Sequence, residues 1–352
     1  MIEIRTYEGE PQELAAFCTN IWKTRYQGKM PVWLWAGSFF DWELFSDRPG
    51  ARDFLVVAYD GTRLIGAHPA KPVHFHWRGE PIFGTSGAYF SVDPAYESQA
   101  VSLKLVLEQR RRHRDRGAQF DMGYLIMSTQ SAMGKEFWLR LKAMQVVAKV
   151  SLWTRMIDHR ALTEFAVSAR DRWGSKLMGL VQGRPKPPAD PSRVRPYRAA
   201  DLHDCLELSR ELSRAADFGI VWDEVSLARQ LAFPNVPRTL VFELDGRVRG
   251  FVNFSKQPFW GRREILVGMI DLLCTHRLNA RQTRDLLRAA LVEMAEAGCH
   301  VATLLGTQGV PIGSLLRTGF IEELPPDYLY VAQAMTPDAP TLKTKRLHAI
   351  MR

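Results

Sequence analysis

Cysteine is scarce in this chain. Cys18, Cys205, Cys274 and Cys299 are its only four, and none sits at metal-ligand spacing from another. That excludes a zinc framework and a disulfide scaffold and leaves reduced core thiols. Long apolar runs are also missing, and a membrane span needs about 20 such residues. Met1-Ile2-Glu3-Ile4-Arg5 opens directly in strand-like alternation, with no charged segment leading into an apolar one. No secretory signal is expected, and a cytoplasmic location is. The chain carries no RNP signature, zinc knuckle or helix-turn-helix pattern, which makes nucleic acid an unlikely partner.

What is present is ordinary in bulk. The hydrophobic fraction is 46% and the charged fraction 24%, values typical of a soluble globular protein. At 352 residues the chain can build two cores. The formal net charge of +9 suits an acidic partner: nucleic acid, anionic lipid, a phosphorylated cofactor or an acidic carrier protein. Charge by itself does not choose among them.

A unit occurs twice. Ile4-Arg5-Thr6-Tyr7 opens the first copy and Val194-Arg195-Pro196-Tyr197 the second. Each then reaches an Asp-Gly turn, Asp60-Gly61 and Asp245-Gly246, with Gly66 and Gly250 on the return strands. Ser91-Val92-Asp93-Pro94 leads into a helix stopping at Gly117, and Leu272-Leu273-Cys274-Thr275 into one stopping at Gly298. The interval from Asp93 to Gly117 equals that from Cys274 to Gly298. A period this long is a domain duplication, and the element order is that of a mixed α/β layer.

The expected partition is 1–160, 161–192, 193–335 and 336–352. The second piece holds a helix over Ala161–Val181 and the stiff linker Gly183–Pro191, rich in proline. The last is a basic tail. In the first copy the pattern predicts a central strand over Ala88–Val92, a helix over Gln99–Arg116 and a strand over Phe120–Ile126. A helix over Met133–Lys142 and a last strand over Val146–Ile157 follow. The second copy closes with a helix over Pro311–Arg317 and a strand over Tyr328–Ala332.

Val92-Asp93-Pro94-Ala95-Tyr96 and Leu316-Arg317-Thr318-Gly319-Phe320, with the order of elements around them, resemble the GNAT superfamily of acyl-CoA-dependent N-acyltransferases. The resemblance covers both halves and implies tandem GNAT-like domains, each a mixed twisted sheet flanked by helices. It implies that the donor is acyl-CoA or acyl-phosphopantetheine on an acidic carrier protein, that the acceptor is an amine, and that no metal is needed. In that fold a loop before a helix N-terminus presents amides to a pyrophosphate. Here the loop reads Glu97, Ser98, Gln99, Ala100, Val101, without the family's arginine and glycines. The resemblance places pantetheine between Ala88–Val92 and Phe120–Ile126, with Val92 beside it and the pyrophosphate near Ser98 to Val101. In the second copy the loop has no glycine, but Arg277, Arg281, Arg284 and Arg288 follow at helical spacing, with Arg277 and Arg281 as anion contacts or a solvated face. The family's tyrosine acid is replaced by Leu315, and by Trp138 or Leu139 in the first copy.

Aminolysis needs a proton route and oxyanion stabilisation. His74 and His76 alternate on one strand and share a face; either could take a proton, or both are edge-strand surface residues. Tyr89 and Tyr96 flank the donor cleft as proton donors or packing residues. Asp271 interrupts an apolar strand and needs a partner or a raised pKa. Arg110, Arg111, Arg112 and Arg114 crowd a helix end, as dipole complements or as a docking patch for a carrier protein. The aromatic connection Trp33, Trp35, Phe39, Phe40, Trp42 and Phe45 reads as core or as a lid over an apolar ligand. The expected function is therefore N-acyl transfer to a small amino compound, an amino sugar or a peptide. The alternatives are an inactive acyl-CoA- or partner-binding protein and a basic nucleic-acid-binding protein.

Overall fold

The computed structural model describes residues 1–46, 48–126, 138, 144–307, 309, 311–323 and 328–350. The first half contains β1 (Ile2–Thr6), α1 (Pro11–Tyr26), α2 (Gly37–Leu44), β2 (Leu55–Asp60), β3 (Arg63–Trp77), β4 (Glu80–Gly87), α3 (Val101–Asp115), β5 (Phe120–Ile126), β6 (Met144–Val150) and β7 (Leu152–Met156). Two helices follow, α4 (His159–Phe165) and α5 (Ala169–Val181). The second half contains β8 (Val194–Pro196), α6 (Leu202–Arg214), β9 (Phe218–Ile220), α7 (Glu224–Ala232), β10 (Pro237–Leu244), β11 (Arg247–Trp260), β12 (Glu264–Cys274), α8 (Ala280–Glu296), β13 (Val301–Leu305), α9 (Ile312–Arg317) and β14 (Tyr328–Ala334).

Local chemistry explains these boundaries. Gly61 and Gly246 hold φ of 59° and 71° in the Asp-Gly turns, the left-handed conformation that two-residue hairpins demand. Asn279 caps α8, its Oδ1 accepting from the Arg281 and Gln282 amides at 3.0 Å, while the Gln282 side chain returns the bond. Asp223 and Ser226 form the same box at the start of α7.

The halves exchange strands. The first sheet runs β1-β2-β3-β4-β5-β14-β6, and the second runs β8-β10-β11-β12-β13-β7 and then Ile321–Glu322. The two orders match position by position, but the sixth strand of each sheet comes from the other half of the chain. β14 lies antiparallel between β5 and β6, and β7 pairs β13 from Leu305↔Leu152 to Val301↔Met156. The expected last strand over Val146–Ile157 is therefore two strands, broken at Ser151, one in each sheet. Tyr328–Ala334 likewise belongs to the first sheet.

Other expectations also change. The helix over Ala161–Val181 is α4 and α5, with Ser168 capping the second through the Asp171 amide at 3.0 Å. The linker is pinned: the Ala189 amide donates to Asp285 Oδ1 at 2.8 Å, and the buried Arg155 donates to the Gly183 carbonyl at 2.7 Å. The basic tail folds back. Leu342, Leu347 and Ala349 are buried, and Leu347–His348 pairs β9, which pairs the far end of β3. The expected helix over Met133–Lys142 lies outside the described residues, apart from Trp138.

Strand alternation separates the two faces of the first sheet. Leu55 and Val57 pack with Leu14 and Cys18 of α1, whereas Val56 and Ala58 pack with Val101 and Leu105 of α3. The first face also meets the second half: Phe75, Phe120 and Tyr330 share a core with Leu208, Leu212 and Phe218. The aromatic connection is mostly core, with Trp35, Phe39, Phe40, Trp42 and Phe45 buried. It also bridges the halves, since Val32–Trp33 pairs β11 and Trp42 Nε1 donates to the Arg229 carbonyl at 2.9 Å.

All four cysteines are free and buried. Burial pushes the Cys18 and Cys274 thiols up to about 12 and that of Cys299 to about 11. The native protein should therefore give no reaction with a thiol reagent at pH 8 and four equivalents once unfolded. Fast native labelling of any one would contradict this packing.

Candidate active site

The first sheet opens in its middle. β4 and β5 run parallel and pair through Gly84↔Phe120, Thr85↔Asp121 and Ser86↔Met122, and then they part. After Gly87 the chain loses step with β3. Ala70↔Gly87 and Ala67↔Ser91 differ in register by one residue, and Tyr89 sits there with φ of 62°. This is a β-bulge, a device that re-aims the backbone beside a site. The second sheet repeats it: β12 slips one residue against β11 between Phe254↔Ile270 and Asn253↔Leu272. Asp271 is the residue left over, which explains a carboxylate inside an apolar strand. It is buried but lies outside the cavity described next.

A cavity of about 410 Å³ fills the opening between β4 and β5. On the α1 face it is walled by Trp22, Tyr26, Trp33, Trp35 and Phe39, and the backbone Gly87–Val92 forms its edge. Met269 of β12 contributes from the second half. On the α3 face it is bordered by His68, Asp121, Leu125, Val331 and Gln333. The volume and the mainly apolar lining with a few polar groups are those of a small-molecule site.

Two of those polar groups, His68 and Asp121, belong to a cluster behind the cavity wall that the sequence analysis missed. Thr85 Oγ1 donates to Asp121 Oδ1 at 2.7 Å and lies 2.5 Å from His113 Nε2. His113 Nδ1 is 2.6 Å from the Gln109 carbonyl. His68 Nε2 is 4.0 Å from Asp121 Oδ2, and the His68 ring meets Phe90 and Trp138. Gly87 makes the approach possible, since a Cβ there would stand 2.7 Å from both Asp121 oxygens. Burial raises the Asp121 carboxyl above its usual range, against the opposing pull of His113 and Thr85. Burial, with the charge of His113 second, pushes His68 down to about 3, so it is neutral at pH 7. The only sequence signal was a histidine two residues past Gly66 on a strand otherwise apolar at that point.

The expected site residues separate. Tyr89 and Val92 line the cavity, and the Tyr89 ring packs against Trp35 and Phe40 at centroid distances of 5.1 and 4.8 Å. His74 and His76 do not line it. They are six and eight positions beyond His68 along β3, roughly 20 Å or more on an extended strand. His74 is exposed, and His76 is buried with Nε2 2.8 Å from the Ser213 carbonyl. Tyr96 turns outward to Asp60 Oδ2 at 3.1 Å. Ser98, Gln99 and Ala100 form an exposed turn ahead of α3, with Ala100 at φ of 55° and Val101 buried beneath. Glu97 at the cavity rim is ion-paired with Arg25 of α1, which neutralises the carboxylate in that loop.

Arg277 is not on the helix. It precedes α8 and is held by Glu207 and Glu211 of α6, so its charge is already taken. Arg281 is exposed on the first turn. The arginine run of α3 is no uniform patch either. Arg112 turns inward to Thr6 Oγ1 and the Asp53 carbonyl, and Arg111 is paired with Glu108 and Asp115. Among the described residues, only Arg110 and Arg114 of the four have no ion pair, which removes most of the case for a docking patch. No group of three or more metal-ligating side chains occurs among the described residues, and no helix there is long and apolar enough to cross a membrane.

No family model matches the chain, and no curated protein matches it by sequence. Solved structures do. Saccharomyces cerevisiae N-myristoyltransferase with bound myristoyl-CoA superposes with a TM-score of 0.77 at 14% identity, over 100% of this chain and 89% of that one. A second structure of that complex gives 0.76 at 14% identity, over 100% and 84%. A GCN5-related N-acetyltransferase from Kribbella flavida gives 0.53 at 16% identity, over 98% and 74%. At these identities the likeness is one of fold: the chain has the tandem GNAT-like fold of N-myristoyltransferase, two mixed sheets flanked by helices.

Proposed function

We propose that the chain is an acyl-CoA-dependent N-acyltransferase whose first half holds the thioester donor. The observation that carries this reading is the parting of β4 and β5 at a bulge, with an apolar cavity in the gap. The N-myristoyltransferase structures that superpose over the whole of this chain hold myristoyl-CoA. Pantetheine would lie between Gly87–Val92 and β5, and the pyrophosphate at the Ser98–Val101 turn, where Arg25 neutralises the neighbouring Glu97. The acceptor, a small amino compound, an amino sugar or a peptide amine, would approach from the α1 face, where Met269 brings the second half to the cavity.

In the reaction the amine nitrogen attacks the thioester carbonyl. The C–N bond forms, the C–S bond breaks, the nitrogen loses a proton and the departing sulfur gains one. Holding both partners at the bulge supplies much of the acceleration by proximity. Tyr89 is the candidate proton donor, since it alone of the four expected catalytic residues borders the cavity. A carrier protein as donor remains compatible with Arg110 and Arg114.

Titration calorimetry with CoA and with a long-chain acyl-CoA tests this. Micromolar or tighter binding is expected, stronger for the acyl form. Ala100→Trp, which places an indole over the turn, should weaken both by more than tenfold while the circular dichroism is unchanged. Binding without transfer to any amine would favour the second reading, an inactive acyl-CoA-binding protein, which the buried Leu315 in place of the family's tyrosine supports. No binding of either compound would sink both.

A further inference from the structure

The two sides of α5 differ sharply. Its inner side closes against α4. Ser175 is buried, a Cβ at Gly179 would stand 2.5 Å from His159 Cδ2, and Arg172 donates to the Ala166 and Val167 carbonyls at 3.3 and 3.1 Å. Trp173 and Leu177, four residues apart, share a ridge on the outer side. Trp173 is 68% exposed and Leu177 46%. Among the described residues, only the N-terminal Met1 is a more exposed large apolar side chain. Single exposed apolar residues are ordinary, and what sets this pair apart is the charge around it.

Arg170 lies three residues before Trp173 on the same ridge, and Lys176 flanks it. Both are exposed, and exposed Arg184 and Lys186 carry the positive charge on into the linker. None of these four has an ion pair among the described residues. The one acid of α5, Asp171, is two residues from Trp173 and so does not share its side of the helix. Trp and Leu on a ridge bordered by Arg and Lys suit a helix lying in the plane of a lipid headgroup layer. The apolar side chains sink among the headgroups and the cations meet anionic ones. A convex ridge fits a deformable surface, whereas a folded partner would need a matching groove. The ridge is also tied to the cavity. The Arg262 amide donates to the Phe165 carbonyl at 2.9 Å, which fixes the end of α4 to the tip of the β11–β12 hairpin. Phe259 of that hairpin pairs with Trp33, a residue of the cavity wall on the α1 face.

We propose that α5 seats the protein on an anionic lipid surface, with Trp173 and Leu177 among the headgroups and Arg170, Lys176, Arg184 and Lys186 against their negative charges. This goes beyond acyl transfer and does not depend on the donor assignment above. The test is sedimentation of the full chain with vesicles of phosphatidylcholine alone and of phosphatidylcholine with roughly 30% phosphatidylserine. Binding to the anionic vesicles should be at least about tenfold tighter at about 0.1 M salt, and most of that advantage should vanish at about 0.5 M. Arg170→Glu with Lys176→Glu should cut the preference to about twofold or less. Trp173→Ser should weaken binding by about fivefold or more while leaving its salt dependence in place. These side chains are exposed, so the variants should melt at the parental temperature. Sedimentation with neither vesicle, equal sedimentation with both, or anionic binding that every substitution leaves untouched would overturn the proposal. So would a dimer in sedimentation velocity that Trp173→Ser dissolves, since the ridge would then be a contact between copies. The comparison of the two vesicles needs no variant, so a misfolded substitution does not decide the matter.

Discussion

Cut between Lys186 and Pro187, neither fragment of this chain should fold by itself. The first would lack β14, the strand between β5 and β6, and so would lose the ladder from Tyr328 to Ala334 on one side and from Tyr328 to Gln333 on the other. That strand also brings Leu329, Tyr330 and Val331 into the interior. Burying a side chain of that size contributes roughly 1.5–3 kcal/mol, so the three together are worth about 5–9 kcal/mol. A whole domain is stable by only about 5–15 kcal/mol. The second fragment would lose β7, leaving the edge of β13 bare and removing Trp153 from the core around Leu286 and Leu291. The two fragments expressed together should co-purify as a soluble complex, and the intact chain should unfold in one transition in urea. A soluble fragment 1–186 with a cooperative melt of its own would refute this.

The same exchange shows where reading the sequence stops. The duplication was legible because it rests on local chemistry: Asp-Gly turns, helices ending at Gly117 and Gly298, and alternation along the strands. Each of these is decided within a few residues. Which sheet Leu152–Met156 and Tyr328–Ala334 join is decided by pairing partners over a hundred residues away, and an apolar strand reads alike in either sheet. The cavity was half legible. Val92 came from a motif just past the bulge and Tyr89 from the expected strand leading into it, while His68, Asp121 and Gln333 come from three strands with no common spacing. His74 and His76 misled because alternation tells which face a residue shares and not how far along the strand the site lies. Arg277 misled because helical spacing does not show where the helix begins, and Asn279 caps it two residues later. The arginine run of α3 misled because exposure was assumed for side chains that turn inward or pair on the surface.

Stability should fall steeply between pH 6.5 and about 4, well above the usual range of acid unfolding by carboxylates. Two histidines cause this. His68 is held down to about 3 by burial and by His113, and His348 to about 4 by burial and by His76. The groups facing His68 are Asp121, His113, the Leu105 backbone, which opposes the shift, and the rings of Phe90 and Trp138, and His348 Nε2 has no hydrogen-bond partner among the described residues. In the unfolded chain both take a proton near pH 6.5. The folded chain refuses it until pH 4 or 3, so below 6.5 the unfolded state binds more protons and is favoured. Each histidine then costs about 1.4 kcal/mol per pH unit, on the order of 4 kcal/mol for the pair by pH 5. The carboxylates act lower. Glu108, bonded to Arg111, and Glu211, bonded to Arg277, are held down to about 2, so their contribution is present above about 4.5 and is lost only below it. Urea midpoints at pH 7, 6, 5 and 4.5 should therefore drop with a slope of nearly two protons taken up on unfolding. His348→Phe should lower that slope by close to one proton and raise stability at pH 5 relative to the parent. A flat profile from 6.5 to 4.5, or a variant with the parental slope, would mean that these imidazoles are charged in the folded protein.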